Sequence, residues 1–123
     1  MHAPSHTRSW SEVRQFYQEL VQRHGWPLES MLELVELLEK SSYAGGMFPF
    51  TSHESLHIGR VPNFARGDNE LEIQFNPSNK SFVFTYWQRA DDLHPWTTAC
   101  EESEWRYTLE RVLHKRLRWF HVG

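Results

Sequence analysis

The feature that most constrains this chain is a pair of strand-like segments, residues 71–75 and Ser81–Trp87, joined by a short turn. In the first segment apolar residues alternate with polar ones, which is the period-two pattern of a half-buried strand. The second segment is β-branched and aromatic, and the Asn-Pro-Ser-Asn stretch between them favours a turn. We therefore predict a β-hairpin closed by a four-residue loop, residues 77–80.

The side-chain pattern also predicts the register of this hairpin. One pairing places every large apolar residue of both strands on the same face. On the opposite, mixed face this pairing sets Trp87 across from Glu70. The predicted apolar pairs are Phe75 with Phe82, Ile73 with Phe84 and Leu71 with Tyr86.

Helical patterns flank the hairpin on both sides. Ser9 followed by Glu12 is a capping box that predicts a first helix, and Pro27 suits the first turn of a second. A C-terminal helix is expected after a cap at Thr98 or Ser103. Residues 53–61 are interpreted as one further strand, residues 47–52 as an irregular connector and residues 88–98 as a polar loop.

These elements predict an α+β fold. It consists of an N-terminal helical hairpin, a three-stranded antiparallel β-meander and a C-terminal helix packed on one sheet face. Residues 1–123 are expected to form a single domain, with residues 1–8 as a frayed N-terminus. The predicted sheet core comprises Leu56, Ile58, Leu71, Ile73, Phe75, Phe82, Phe84 and Tyr86.

Composition restricts the function classes. The single cysteine, Cys100, cannot form an internal disulfide, which favours a reducing compartment and a cytoplasmic location. The N-terminal residues show no apolar signal-peptide core, and no run of apolar residues is long enough to cross a bilayer. The formal net charge of −3 argues against a general nucleic-acid footprint.

Residues 53–57, His-Glu-Ser-Leu-His, form the one motif with recognisable chemistry. On a helix, His53 and His57 could share one zinc ion while Glu54 activates water, as in zinc metalloproteases. In a strand the two Cα atoms would lie about 13 Å apart, too far to share an ion. We favour the strand, so a zinc-dependent hydrolase is the alternative. Candidates for a third ligand would be Glu70, Glu72, Asp91 and His94.

The C-terminal helix suggests a third function. Arg111, Lys115 and Arg118 fall on one stripe with Trp119 beside them, a pattern that could grip phosphates. However, double-stranded RNA-binding domains place basic residues at the start of their last helix, and here that start is acidic. Nucleic-acid binding through this helix is therefore ranked below the other two hypotheses.

The leading hypothesis is a non-catalytic protein-interaction domain of the inhibitor or adaptor type, with an unknown protein partner and no cofactor. It rests on the lack of a convincing catalytic set and on a surplus of aromatic residues. Trp87, Trp96 and Phe64 are the predicted binding anchors, because exposed aromatic residues with charged neighbours often dominate interfaces. The competing interpretation is that these three side chains pack against loops.

Overall fold

A computed structural model of the protein describes residues 3–120 and shows an α+β fold. Two helices precede a five-stranded antiparallel sheet, and a third helix follows it. Each strand pairs with its sequence neighbours, so the sheet order is the chain order. The elements are α1 (Trp10–Gln22), α2 (Glu29–Lys40), β1 (Phe48–Ser52), β2 (Ser55–Gly59), β3 (Glu70–Asn76), β4 (Ser81–Trp87), β5 (Trp96–Glu101) and α3 (Trp105–Arg111), which continues into a π-helical turn (Val112–Arg116).

The register predicted for the central hairpin is confirmed. Strands β3 and β4 pair along their full length, and Trp87 stands opposite Glu70. The loop between the strands is residues 77–80, with Lys80 in the left-handed region at a φ of 51°. The confirmed apolar pairs are Phe75 with Phe82, Ile73 with Phe84 and Leu71 with Tyr86.

The prediction of three strands is wrong, because the sheet has five. The expected connector before residue 53 is β1, which pairs with β2 although it contains Pro49. Proline is tolerated there because β1 is an edge strand. The last residues of the expected polar loop, 96–98, form the start of β5, which pairs with β4 over six residues. Neither Thr98 nor Ser103 caps a helix: Thr98 lies within β5, and α3 follows a short 3-10 turn, Glu102–Glu104, without a side-chain cap.

One face of the sheet belongs to the hydrophobic core, together with residues from all three helices. Seven of the eight predicted sheet-core residues are buried, and Tyr86 is half-buried. Tyr86 is held at the margin by its hydroxyl, which donates a 2.6 Å hydrogen bond to Asn69 Oδ1. The helical contribution to this core comes from Trp10, Val13, Tyr17, Leu28, Met31, Leu34, Val35, Leu38, Trp105, Leu109, Val112 and Leu113.

The capping box predicted for α1 is confirmed. The Ser9 hydroxyl accepts a hydrogen bond from the Glu12 amide, and the Glu12 carboxylate accepts one from the Ser9 amide. Two of the amides left without a partner at the helix start are thereby satisfied. An ion pair of 2.8 Å between Arg14 and Glu39 joins α1 to α2.

On the other face of the sheet, the loop of residues 60–69 covers β1 and β2. Its Phe64 ring lies directly over Gly59 and against Phe50. Residues 3–8 belong to the stretch expected to be frayed, and they make hydrogen bonds to this loop and to β1. The Ser5 amide donates to the Phe64 carbonyl and the Arg8 amide to the Pro49 carbonyl, both at 2.8 Å. Residues 1 and 2 lie outside the described part of the chain.

Candidate functional site

The segment of residues 53–57 is a turn and a strand, without the helix that a shared zinc site would need. Because Ser52 pairs with Ser55, His53 and Glu54 form a two-residue turn between β1 and β2. His53 is exposed in that turn, whereas His57 is buried within β2, so the two imidazoles do not share a helical face. Within residues 3–120, no three His, Cys, Asp or Glu side chains are grouped so as to hold a metal ion.

His57 instead belongs to a buried cluster with two carboxylates of β3. Its Nδ1 lies 2.5 Å from Oε2 of Glu70, and its Nε2 lies 3.6 Å from Oε2 of Glu72. An ionised carboxylate only accepts hydrogen bonds, so Nδ1 carries the hydrogen that points to Glu70. The ring of Phe50 stacks on the imidazole with a centroid distance of 4.8 Å. These neighbours enclose the imidazole, and the cluster ties β1, β2 and β3 together.

Glu70 also anchors the loop that covers β1 and β2. Only 1% of Glu70 is exposed, and its Oε1 accepts hydrogen bonds from the Gly67 amide at 2.7 Å and from Arg66 Nε at 3.3 Å. Burial alone would raise the pKa of this carboxyl. The hydrogen bonds from His57 and Gly67, together with the charges of His57 and Arg66, outweigh burial and lower the pKa. Ionised Glu70 is therefore part of the folded structure.

The three predicted aromatic anchors lie in different places. Phe64 is only 3% exposed and packs on the sheet, as the competing interpretation expected. Trp87 is half-buried on the face of the sheet opposite the hydrophobic core, and Trp96 is half-buried at the start of β5. The structure therefore brings none of the three together with another, and Trp96 lines a groove.

That groove runs between β5 and α3 and has a volume of about 640 Å³. Residues alternate along β5, so Trp96, Thr98 and Cys100 lie on the face of the sheet that belongs to the hydrophobic core. The wall contributed by α3 includes Tyr107, which is 65% exposed. The remaining lining residues are Ala99, Glu101, Glu104, Thr108, Arg111, Val112, Lys115 and Arg116.

The groove has an acidic end and a basic end. The chain reverses direction after β5, so Glu101 and Glu104, the residue before α3, lie at one end. At the other end, the guanidinium of Arg116 lies 4.9 Å from the ring centroid of Trp96, and Lys115 precedes it. Opposite charges at the two ends, with Thr98, Cys100 and Val112 between them, would orient any chain segment that lay along the groove.

The two edges of the sheet differ in how they are protected. At β1, Pro49 has no N–H group, and its carbonyl accepts a 2.8 Å hydrogen bond from the Arg8 amide. At β5, by contrast, no further strand or backbone hydrogen bond is present on the outer side in the part of the chain that the structure describes. The β5 sequence also lacks the prolines and bulges that usually discourage strand addition.

The hydrogen-bond pattern shows which groups of β5 point outward. Just beyond β5, the Glu102 amide donates to the Lys80 carbonyl, toward β4. Because amide directions alternate along a strand, the amides of Thr97, Ala99 and Glu101 point away from β4. The hydroxyls of Thr97 and Thr85 approach to 3.5 Å, as expected for the closer, non-hydrogen-bonded pairs of an antiparallel ladder. Within the described residues, the outer edge of β5 therefore presents the backbone groups of three alternate residues without hydrogen-bond partners.

Cys100 lies in the groove and is half-buried. Burial raises the pKa of its thiol, which keeps the sulfur protonated and weakly nucleophilic at neutral pH. The side chain of Thr108 lies beside it. Cys100 is thus a lining residue of the groove, as its sequence interpretation as a small apolar residue implies.

The basic residues of the C-terminal helix are rearranged by a change of helix type. At Val112–Arg116 the helix is π-helical, and the guanidinium of Arg116 at the end of this turn lies over the ring of Trp96 in β5. His114 Nε2 lies 2.6 Å from the hydroxyl of Tyr43, on another side of the helix. Trp119, expected beside the basic stripe, is buried, and its indole N–H donates to Asn69. Arg111, Lys115 and Arg116 line the β5–α3 groove, and nucleic-acid binding stays a prediction.

Sequence reasoning missed this site because it placed residues 88–98 in a loop. A signal was present: Trp96, Thr98 and Cys100 alternate with Thr97, Ala99 and Glu101, and two of these are β-branched. The candidate site is therefore the outer edge of β5 with the groove beside it. Within residues 3–120, no helix is long and apolar enough to span a membrane. No protein-family model matches the chain, and no curated protein or solved structure is significantly similar to it.

Proposed function

We propose that this protein is a non-catalytic protein-interaction domain of the inhibitor or adaptor type, and that β5 is where it holds its partner. The observation that carries the proposal is the asymmetry of the sheet edges. The β1 edge is blocked by Pro49 and Arg8, while the β5 edge is open along Thr97, Ala99 and Glu101. An open edge accepts an extended segment as an additional strand.

The groove supplies what strand addition alone lacks, which is specificity. Backbone hydrogen bonds to Thr97, Ala99 and Glu101 would hold an extended segment in any sequence. Alternate side chains of that segment would then enter the groove, where they meet Tyr107 and Cys100. The proposal includes α1 and α2 as a helical hairpin and α3 packed on one sheet face, where α3 would form one wall of the groove.

The proposed setting is a reducing compartment such as the cytoplasm. Cys100 is the only cysteine, so the fold does not rely on an internal disulfide. Of the three anchors proposed from sequence, Trp96 is kept as a binding residue, because it lines the groove. Phe64 is assigned to the packing of the loop on the sheet because it is buried against Phe50, and Trp87 has no assigned role.

A random-peptide display selection tests the proposal directly. Wild-type protein is immobilised at low surface density, and the selected peptides are measured for binding to Ala99→Pro and Ala99→Ser variants. Proline at position 99 removes an outward N–H without removing a hydrogen bond to β4, so the fold should persist. Serine retains the N–H and serves as the matched control.

We expect peptides that bind wild type and Ala99→Ser but bind Ala99→Pro at least tenfold more weakly. Bound peptide should also slow amide hydrogen exchange at Thr97, Ala99 and Glu101, because each amide would gain a partner. Peptides that bind all three proteins equally well and protect other amides would place the binding surface elsewhere and refute the role of β5.

A further inference from the structure

The charges along the groove are arranged so that a rotated copy of the same groove would match them. Glu101 and Glu104 stand at one end, and Lys115 and Arg116 stand at the other. A twofold axis through the middle of β5 would bring the acidic end of one copy beside the basic end of the other. Such self-matching is what an isologous interface requires.

We infer that the segment added to β5 is the β5 strand of a second copy of this chain, so that two sheets join across a twofold axis. This inference rests on the proposed function, since it names the partner for the same open edge. The pairing must be antiparallel, because twofold symmetry about an axis perpendicular to the strands reverses their direction. The product is a homodimer with a continuous ten-stranded sheet, counted as two sheets of five strands.

Strand alternation restricts the register of this pairing. Residues directly opposite each other must point to the same face of the joined sheet. Pairing Ala99 with its symmetry mate meets this condition, and it sets Thr97 opposite Glu101 of the second copy. The outward amides at all three positions would then gain partners from the other strand.

The side chains at this register favour close approach. Ala99 is small, and Thr97 is β-branched, as is common in paired strands. Next to the joined strands the two α3 helices run in opposite directions, so Glu104 of one copy lies on the side of Lys115 of the other. Both side chains are exposed, which leaves them available for this pairing.

Sedimentation velocity over a range of micromolar concentrations is the first test. Wild type and the Ala99→Ser control should sediment as dimers at the upper end of the range. Ala99→Pro should sediment as a monomer throughout, with unchanged far-ultraviolet circular dichroism. A wild type that remains monomeric over the whole range would overturn the inference.

A charge-swap experiment tests the twofold arrangement without altering the backbone. Glu104→Lys and Lys115→Glu each convert two symmetry-related attractions into repulsions. Each variant should therefore raise the dimer dissociation constant about tenfold. The double variant restores opposite charges across the axis and should return close to the wild-type constant. If the double variant is no tighter than the single variants, or the single variants dimerise like wild type, the arrangement is refuted.

The outcomes separate this inference from the proposed function. One outcome is that Ala99→Pro blocks peptide binding while the wild-type protein stays monomeric. This outcome would support β5 as a docking edge and refute a second copy as its partner. A dimer unaffected by Ala99→Pro and by the charge swap would refute the second copy at β5. Amide exchange at Thr97, Ala99 and Glu101 that slows with protein concentration would support the inference without any substitution.

Discussion

The contact between Gly59 and Phe64 allows a sharp test of how the outer face of the sheet is closed. A Cβ atom added at Gly59 would lie 2.1 Å from Phe64 Cδ1, well inside van der Waals contact. The ring cannot move freely, because Phe64 is buried and packs on Phe50 at a centroid distance of 5.7 Å. A Gly59→Ala substitution must therefore displace this ring or push apart the loop and the sheet.

The size of the effect can be bounded. Reaching ordinary van der Waals contact would require a shift of about 1.5 Å, and overpacking of this kind costs about 1–3 kcal/mol. Complete loss of the ring's packing sets a ceiling of about 3–5 kcal/mol, the usual cost of truncating a buried phenylalanine. We therefore expect the free energy of unfolding to fall by about 2–3 kcal/mol. For a domain of this length, the corresponding fall in Tm is about 10 °C.

Urea unfolding followed by circular dichroism measures this change, with Gly45→Ala as the matched control. No atom lies within 4 Å of a Cβ added at Gly45, so that variant should be as stable as wild type or up to about 1 kcal/mol more stable. Adding Phe64→Leu to Gly59→Ala should recover part of the loss, giving a coupling energy of about 1 kcal/mol. A change in the free energy of unfolding of less than about 0.5 kcal/mol for Gly59→Ala would contradict this prediction.

Two further predictions concern titratable groups. The folded-state pKa of Glu70 is lowered, so its ionised form stabilises the fold above the unfolded-state pKa, and that stability is lost as pH falls through the lowered value. Glu70→Gln should therefore be less stable than wild type near pH 7 and lose less stability on acidification. Urea unfolding of wild type and Glu70→Gln, measured from pH 7 down through the lowered pKa of Glu70, checks this prediction. If the free energies of unfolding of the two proteins fell in parallel with pH, ionised Glu70 would not be the stabilising group. Because burial raises the pKa of Cys100, its thiol should react with Ellman's reagent more slowly at pH 8 than in the unfolded protein; equal rates would show that the folded groove does not protect it.

The central hairpin could be predicted from sequence because local pattern determines it. Strict alternation on β3 and an apolar run on β4 leave one register that buries all large side chains together. The Asn-Pro-Ser-Asn turn then sets the loop length. Each of these signals is carried by residues next to one another in the chain.

Strands β1 and β5 could not be predicted as readily, because long-range pairing defines them. In β1, Pro49 weakens the strand signal, and β1 is accommodated because one of its edges faces no further strand. In β5, the segment that contains threonine and alanine has only a weak sequence signal for a strand, and pairing with β4 stabilises the strand nevertheless. The candidate groove is formed by β5 and by α3 with its π-helical turn. It could not be predicted from sequence, because contacts between residues distant in the chain define it.

The zinc-like motif shows how spacing alone can mislead. Its two histidines are four residues apart, but a turn at His53 separates them into different environments. His57 is held by Glu70 from β3, a partner thirteen residues away in the chain. Which groups surround an imidazole is decided by strand pairing, and a five-residue pattern does not contain that information.

The unequal edges of the sheet limit how far strand addition can proceed. If both outer strands were open, each new copy would offer a fresh edge, and growth could continue into a fibre. Here Pro49 and its hydrogen bond with Arg8 protect the β1 edge. A copy joined through β5 would therefore offer no open edge for a further strand. A dimer formed through β5 would therefore be self-terminating, and disrupting the Arg8 contact would remove a safeguard against polymerisation.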